Sequence, residues 1–200
     1  MAHGAVIYIH GLGGSAGEAD RFAPLSGGRD VIGFDYKAAT PWEARDEFAR
    51  FFDQVREKRG AVAVIANSIG AFFAMHALFD RPVERAFFIS PVADMERLIA
   101  RMMARAGVTE NELAARGEIV TPTGETLSWE YLRWVREHPI GWRAPTEILY
   151  GGNDALIPRG DVEALARRIG AKLTVMAHGE HWFHTDEQLR FLDGWLAGKL

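Results

Sequence analysis

The sequence feature that most constrains the fold is a buried strand pattern that changes into a helical pattern at Ser68. Residues 62–66 read Val-Ala-Val-Ile-Ala, which is typical of a strand buried on both faces, and helical spacing begins at Ile69. A strand turns into a helix within about two residues only where its neighbours are small, and Ala66 and Gly70 meet that condition. Such a turn lifts the serine clear of the sheet, as in a nucleophile elbow. The alternative interpretation is that Ser68 simply caps the helix.

The same strand-and-helix alternation covers most of the chain. Short apolar runs bounded by Gly, Pro or Asp predict five further strands, at residues 5–9, 30–35, 85–90, 146–150 and 172–176. Helical spacing predicts a short helix at 18–22 and longer ones at 41–58, 69–79, 95–106, 128–137, 161–169 and 186–199. We therefore predict an α/β fold, with a mostly parallel sheet of about six strands and helices on both faces. Residues 94–143 break the alternation, which predicts one domain, 1–200, carrying a small helical insert.

Composition limits the kinds of partner. A net charge of −4, with basic residues dispersed among acidic ones, gives no footprint for nucleic acid. The chain contains no cysteine, so a disulfide, a thiolate metal site and a cysteine nucleophile are all excluded. No stretch approaches about 18 apolar residues, and no secretory leader is evident, so we expect no membrane span and a cytoplasmic location.

Three chemically reactive side chains follow three different predicted strands. In an open parallel sheet, ligands bind at the carboxyl ends of the strands, and Ser68, Asp154 and His181 all come directly after such ends. A serine hydroxyl becomes a nucleophile when a histidine takes its proton, and that histidine needs a carboxylate to hold its tautomer. The backbone N–H groups of Leu12, in a glycine-rich loop, and Ile69, at a helix start, are candidates for stabilising an oxyanion. The pattern favours acyl-transfer chemistry.

Together these motifs resemble those of the α/β-hydrolase family over nearly the full length of the chain. The matching segments are His10-Gly-Leu-Gly-Gly14, Ala66-Asn-Ser-Ile-Gly70, Gly151-Gly-Asn-Asp154 and Gly179-Glu-His181. The resemblance implies that Ser68 is the nucleophile, His181 the base and Asp154 its orienting acid. It also implies that the backbone N–H groups of Leu12 and Ile69 form the oxyanion hole.

The resemblance also sets expectations about architecture. Residues 94–143 correspond to the place where the family inserts a helical lid. The chain starts at what is usually the third strand of the family, which implies a compact member with about six strands. Ala66 stands where the usual motif has a glycine, so a methyl group must fit beside the tight turn.

The resemblance implies a serine hydrolase that needs no cofactor or metal, with a small-molecule ester of small or medium size as the expected substrate. Thioester, amide and C–C hydrolysis, as well as acyl transfer to an alcohol, use the same three groups and stay open. A non-catalytic member that binds or regulates is the alternative from another class. The sequence leaves the oligomeric state open.

Several neighbouring residues offer alternative assignments. Asp94 also follows a strand and competes with Asp154 as the acid. Trp182 beside His181, together with Trp129 and Trp134 in the insert, are candidates for an apolar substrate pocket.

Two further functions are suggested, one by the histidines near His181 and the other by the glycine-rich loop. His178 and His184 flank His181 and suggest a metal site, which we do not expect because no carboxylate completes the cluster. Residues 11–16 fit Gly-x-Gly-x-x-Ala, and Asp35 ends the next strand, as in a dinucleotide-binding fold. The glycines and proline that follow leave no long helix to face a pyrophosphate, so we do not favour that function.

Overall fold

Parallel strands form the main sheet of the protein, whose computed structural model describes residues 4–200. The strands in this part of the chain are β1 (Ala5–Ile9), β2 (Asp30–Phe34), β3 (Val62–Asn67), β4 (Ala86–Ile89), β5 (Glu118–Val120), β6 (Thr126–Ser128), β7 (Thr146–Gly151) and β8 (Lys172–Met176). A 3₁₀ helix (Ala16–Leu25) precedes the α-helices α1 (Pro41–Arg59), α2 (Ser68–Ala77), α3 (Met95–Ala106), α4 (Glu110–Arg116), α5 (Trp129–Glu137), α6 (Arg159–Ile169) and α7 (Asp186–Leu196). The chain divides into two units, residues 1–93 with 141–200, and Asp94–Ile140.

The larger unit contains a six-stranded sheet in the order β2-β1-β3-β4-β7-β8, with every neighbouring pair parallel. On one face, alternate residues of the strands, such as Tyr8 and Ile65, join a core with Phe22 of the 3₁₀ helix and Trp195 of α7. Helices α1 and α2 pack against strands β1 and β3 as well. The predicted parallel sheet of about six strands, with helices around it, is confirmed.

Ser68 directly follows the central strand β3, with no intervening loop residue. β3 ends at Asn67, α2 begins at Ser68, and Ser68 has a φ of 48°, in the left-handed region that non-glycine residues seldom adopt. A Cβ on Gly70 would lie 2.3 Å from the carbonyl oxygen of His10, so only glycine lets the start of α2 lie this close to the end of β1. Ala66 is completely buried, and its methyl group is accommodated in the strand.

The smaller unit, Asp94–Ile140, contains α3, α4 and α5 and an antiparallel hairpin formed by β5 and β6. Arg136 of α5 pairs with Glu96 of α3 at 2.7 Å and with Glu110 of α4 at 2.7 Å. The hydrogen bonds that Arg136 donates to these carboxylates, with that to Glu110 the larger cause, raise its pKa. The Arg136 side chain therefore connects the three helices. The role of this unit as a lid stays a prediction.

Two helix ends differ by three residues from the sequence expectation. The short helix predicted before Pro24 is a 3₁₀ helix that continues to Leu25, because the fixed φ of proline suits this conformation and its missing N–H costs only one bond. The last helix ends at Leu196, because Ala197 is extended and Gly198 has a φ of 72°. Among the helices of residues 4–200, none combines the length and the apolar character that a bilayer crossing requires.

Candidate active site

Ser68 and His181, which are 113 residues apart in the chain, are joined by a hydrogen bond. The Oγ atom of Ser68 lies 2.9 Å from Nε2 of His181. The segment after β4 stabilises the turn that carries Ser68, because the N–H of Val92 donates to the Ser68 carbonyl oxygen at 3.2 Å. This hydrogen bond helps to fix the backbone that presents the serine to the imidazole.

Asp154 completes a chain of three side chains. Its Oδ2 lies 2.7 Å from Nδ1 of His181, and its side chain has no exposed surface. Its other oxygen, Oδ1, accepts from the N–H groups of Leu156 and Ile157, both at 2.8 Å. Because a carboxylate only accepts hydrogen bonds, Nδ1 of His181 carries the proton and Nε2 is left to accept the proton of Ser68.

Glycines bring the acid loop and the histidine loop together. The N–H of Gly152 donates to Met176 and the N–H of Asn153 donates to Gly179, each to the carbonyl oxygen at 2.8 Å. A Cβ on Gly151 would lie 2.4 Å from the carbonyl oxygen of Glu180, so a larger residue would push the loops apart. The Gly151-Gly152 pair therefore sets the distance between Asp154 and His181.

The two predicted oxyanion donors lie in segments beside Ser68. Ile69 is the second residue of α2, so its N–H has no acceptor within the helix. Leu12 lies in a turn closed by Gly14 N–H to the Gly11 carbonyl oxygen at 3.1 Å. A Cβ on Gly11 would lie 3.2 Å from Cβ of Ser68, so this loop runs directly alongside the nucleophile candidate.

The glycine-rich loop is anchored by aromatic and polar contacts at its start. The hydroxyl of Tyr36 donates to the carbonyl oxygen of His10 at 2.9 Å, and the two rings are stacked with centroids 4.4 Å apart. The ring nitrogen Nδ1 of His10 donates to the carbonyl oxygen of Gly11 at 2.8 Å. His10 thus holds the glycine-rich loop through its ring and its carbonyl oxygen.

A pocket of about 290 Å³ opens beside Ser68 and His181. The residues that line it are Gly11, Leu12, Gly13, Gly14, Glu18, Asn67, Ser68, Leu156, His181 and Trp182. Trp182 was a predicted pocket residue, and this residue is 70% exposed. Trp129 and Trp134 lie on α5 of the smaller unit, and their predicted pocket role stays a prediction.

Two of the other candidates, Asp94 and His184, have local partners. Asp94 caps α3, since its Oδ1 accepts from the N–H of Arg97 at 2.9 Å. His184 contacts the Trp182 carbonyl oxygen at 2.8 Å through Nδ1, and His178 is exposed. Within residues 4–200, no three His, Asp or Glu side chains lie together in a group that could hold a metal ion.

Glu18 is a pocket residue that the sequence analysis missed. Its Oε2 accepts from the hydroxyl of Tyr8, and its Oε1 accepts from the N–H of Ser15 at 3.0 Å. Burial, with smaller contributions from Glu18, raises the pKa of Tyr8 above its usual range, so the phenol stays a donor. Ser15-Ala-Gly-Glu18 has the spacing of a capping box, a signal that could have placed this carboxylate beside the glycine-rich loop.

The features that suggested a dinucleotide site are arranged differently. The element after the glycines is a 3₁₀ helix, which lacks the aligned N-terminal N–H groups of a long α-helix. Asp35 is exposed and pairs with Lys37 at 2.8 Å, and this hydrogen bond lowers the pKa of Asp35. The Glu18 carboxylate lies at the loop where a pyrophosphate would carry negative charge, so the geometry opposes that ligand.

Comparisons with known proteins give a consistent result. A family model described as "Alpha/beta hydrolase family" matches residues 6–193. Similar solved structures include alpha/beta hydrolase domain-containing protein 10 from mouse (22% identity, TM-score 0.78, covering 98% of this chain and 88% of that one). They also include Est1E from Butyrivibrio proteoclasticus (17%, TM-score 0.76, covering 96% and 84%) and a monoacylglycerol lipase from Paleococcus ferrophilus (18%, TM-score 0.64, covering 98% and 94%). No curated protein matches this sequence.

Proposed function

This chain belongs to the alpha/beta hydrolase family, and on that premise we propose that it is a serine hydrolase acting on small or medium carboxylic esters. The observation that carries the proposal is the hydrogen-bond chain from Ser68 through His181 to Asp154, with distances of 2.9 and 2.7 Å. Such a chain is the arrangement by which a histidine activates a serine hydroxyl and is itself held in the productive tautomer.

The proposed reaction has two matching halves. Ser68 Oγ bonds to the ester carbonyl carbon while Nε2 of His181 takes the hydroxyl proton, and the N–H groups of Ile69 and Leu12 stabilise the oxyanion. The bond to the leaving oxygen breaks, and His181 gives its proton to the departing alcohol. Water then attacks the acyl-enzyme, His181 takes a proton from the water, and this proton returns to Ser68 as the acid is released.

Asp154 acts through His181 in this proposal. The imidazole becomes positively charged each time it holds the serine or water proton, and the buried carboxylate offsets that charge. Because the two backbone N–H groups hold the other oxygen of Asp154, the carboxylate does not need to reorganise during the reaction.

Esters are the favoured substrates among several that the same residues would serve. One similar structure is named a monoacylglycerol lipase, and ferulic acid is bound in another structure of Est1E. Hydrolysis of thioesters, amides or C–C bonds, and acyl transfer to an alcohol, require the same nucleophile, base and oxyanion donors. They are distinguished by assay with each substrate type.

The test is covalent labelling by a fluorophosphonate, detected by intact mass, followed by hydrolysis of p-nitrophenyl esters of increasing acyl length. The native chain should gain one label, and Ser68→Ala should gain none. Ser90→Ala is the matched control, because Ser90 is the other non-glycine residue with a positive φ in residues 4–200 and should leave labelling intact. A native chain that neither labels nor hydrolyses any ester would reject the proposal in favour of a non-catalytic binding role.

A further inference from the structure

The pocket beside Ser68 carries a single carboxylate. Of the ten described residues that line it, Glu18 and His181 are the ionisable ones, and neither Lys nor Arg is among them. Asp154 adds a second negative charge behind the imidazole, with no exposed surface. The groups that a bound substrate meets at this pocket therefore include a negative charge and no lysine or arginine to balance it.

Glu18 is held firmly at this place. Both of its oxygens accept hydrogen bonds, from the Tyr8 hydroxyl and the Ser15 N–H, which is the arrangement of an ionised carboxylate. A Cβ on Gly14 would lie 2.7 Å from Oε1 of Glu18, so the loop packs directly against the carboxylate. The charge cannot swing away from an incoming substrate without breaking these contacts.

Three large apolar side chains that line the pocket are open to solvent. Leu12 is 92% exposed, Trp182 is 70% exposed and Leu156 is 38% exposed. Large apolar side chains at the rim of a cavity favour binding of an apolar acyl or alkyl group, because contact removes their surface from water. A substrate carboxylate would lose hydration against these side chains without gaining a cationic partner.

Resting on the proposed function, we propose that this site selects uncharged esters with an apolar acyl group and rejects esters that carry a carboxylate, with Glu18 as the specificity-determining residue. The repulsion between two negative unit charges about 7 Å apart, at an effective dielectric constant of about 20 to 80, lowers a rate by about threefold to fiftyfold. We therefore expect Glu18 to contribute about tenfold to the discrimination.

The test uses two substrates of equal carbon number, p-nitrophenyl hexanoate and mono-p-nitrophenyl adipate, which differ in the terminal carboxylate. The native enzyme should have the higher kcat/KM for the hexanoate after subtraction of the enzyme-free rate. Glu18→Gln should raise the ratio of kcat/KM for the adipate to kcat/KM for the hexanoate by about tenfold. Glu57→Gln, at an exposed position of α1, makes the same change in net charge and should leave both values unchanged.

Two further measurements separate charge from structure. Tyr8→Phe removes a partner of Glu18 but keeps the carboxylate, so the preference for the hexanoate should persist in that variant. In the native enzyme the preference should shrink from 0.1 M to 1 M NaCl, because the screening length falls from about 10 Å to about 3 Å. This salt effect does not depend on the folding of any variant.

The outcomes distinguish this inference from the proposed function. If Ser68 labels and the hexanoate is hydrolysed, but the adipate is hydrolysed equally well or the preference is insensitive to Glu18→Gln and to salt, the charge selection is wrong and the hydrolase stands. An equal loss for both substrates in Glu18→Gln would also overturn it, because it would make Glu18 structural. Absence of labelling and of all ester hydrolysis would reject both.

Discussion

Replacing Asp154 with asparagine tests how the hydrogen-bond chain orients His181. Asparagine has the same shape as aspartate, but one of its two terminal groups is an NH₂ donor. If the side-chain oxygen stays with the N–H groups of Leu156 and Ile157, the NH₂ group faces Nδ1 of His181. The imidazole must then accept at Nδ1 and carry its proton on Nε2, where it can no longer take the proton of Ser68.

The structure indicates which orientation of the side-chain amide is favoured in the Asp154→Asn variant. Flipping the amide would restore the productive tautomer but would leave two backbone donors facing an NH₂ group, at a cost of about 1–3 kcal/mol each. Only one hydrogen bond, of about 0.5–1.5 kcal/mol, is regained at His181. The unproductive orientation is therefore favoured. We expect kcat to fall by about 10⁴-fold, which corresponds to about 5.5 kcal/mol of transition-state stabilisation.

The assay is kcat and KM for p-nitrophenyl butyrate, with thermal unfolding measured in parallel to show that the variant is folded. Asp94→Asn is the matched control, because Asp94 caps α3 and asparagine is an equally good N-cap residue. It should retain activity and Tm. An Asp154→Asn enzyme with more than about a tenth of the native kcat would refute the tautomer argument. Equal losses in the two variants would refute the assignment of the acid.

Gly70→Ala should lower the free energy of unfolding by about 1–3 kcal/mol and reduce activity, because its Cβ would meet the carbonyl oxygen of His10 at 2.3 Å. Gly160→Ala, in open space on α6, should not destabilise the protein, and an equal loss of stability in the two variants would contradict the contact argument. Burial raises the pKa of Tyr36 to about 12, so the stability contributed by the neutral phenol is complete below about pH 10 and is lost as the pH rises through 12. In denaturant unfolding between pH 9 and 12, the free energy of unfolding should therefore fall less steeply with pH for Tyr36→Phe than for the native protein. An equally steep fall in both proteins would contradict the raised pKa of Tyr36. Trp182→Ala should raise KM for p-nitrophenyl hexanoate by about tenfold with little change in kcat, as removal of apolar contact implies, whereas a fall in kcat alone would point to His181 instead.

Local patterns in the sequence were sufficient for the sheet and for the elbow. The strand predictions for residues 5–9 and 172–176 match the observed bounds, because continuous apolar runs between turn residues leave few alternatives to buried strands. The small residues around Ser68 predicted a tight strand-to-helix turn, and the structure has one with a positive φ at that serine. The limits of the 3₁₀ helix were missed, since proline ends α-helices but is tolerated in this conformation.

What the sequence by itself determined was the set of elements and the placement of Ser68, Asp154 and His181 after strand ends, because periodicity and turn residues act over a few neighbours. Only the tertiary structure decided that His181 faces Asp154 while Asp94 caps a helix, and that Glu18 lines the pocket. These contacts depend on how closely separate loops approach, which glycines such as Gly151 permit but no local pattern specifies. Distances between strand ends follow from the packing of the whole sheet and its helices, and it is those distances that turn separate side chains into a site.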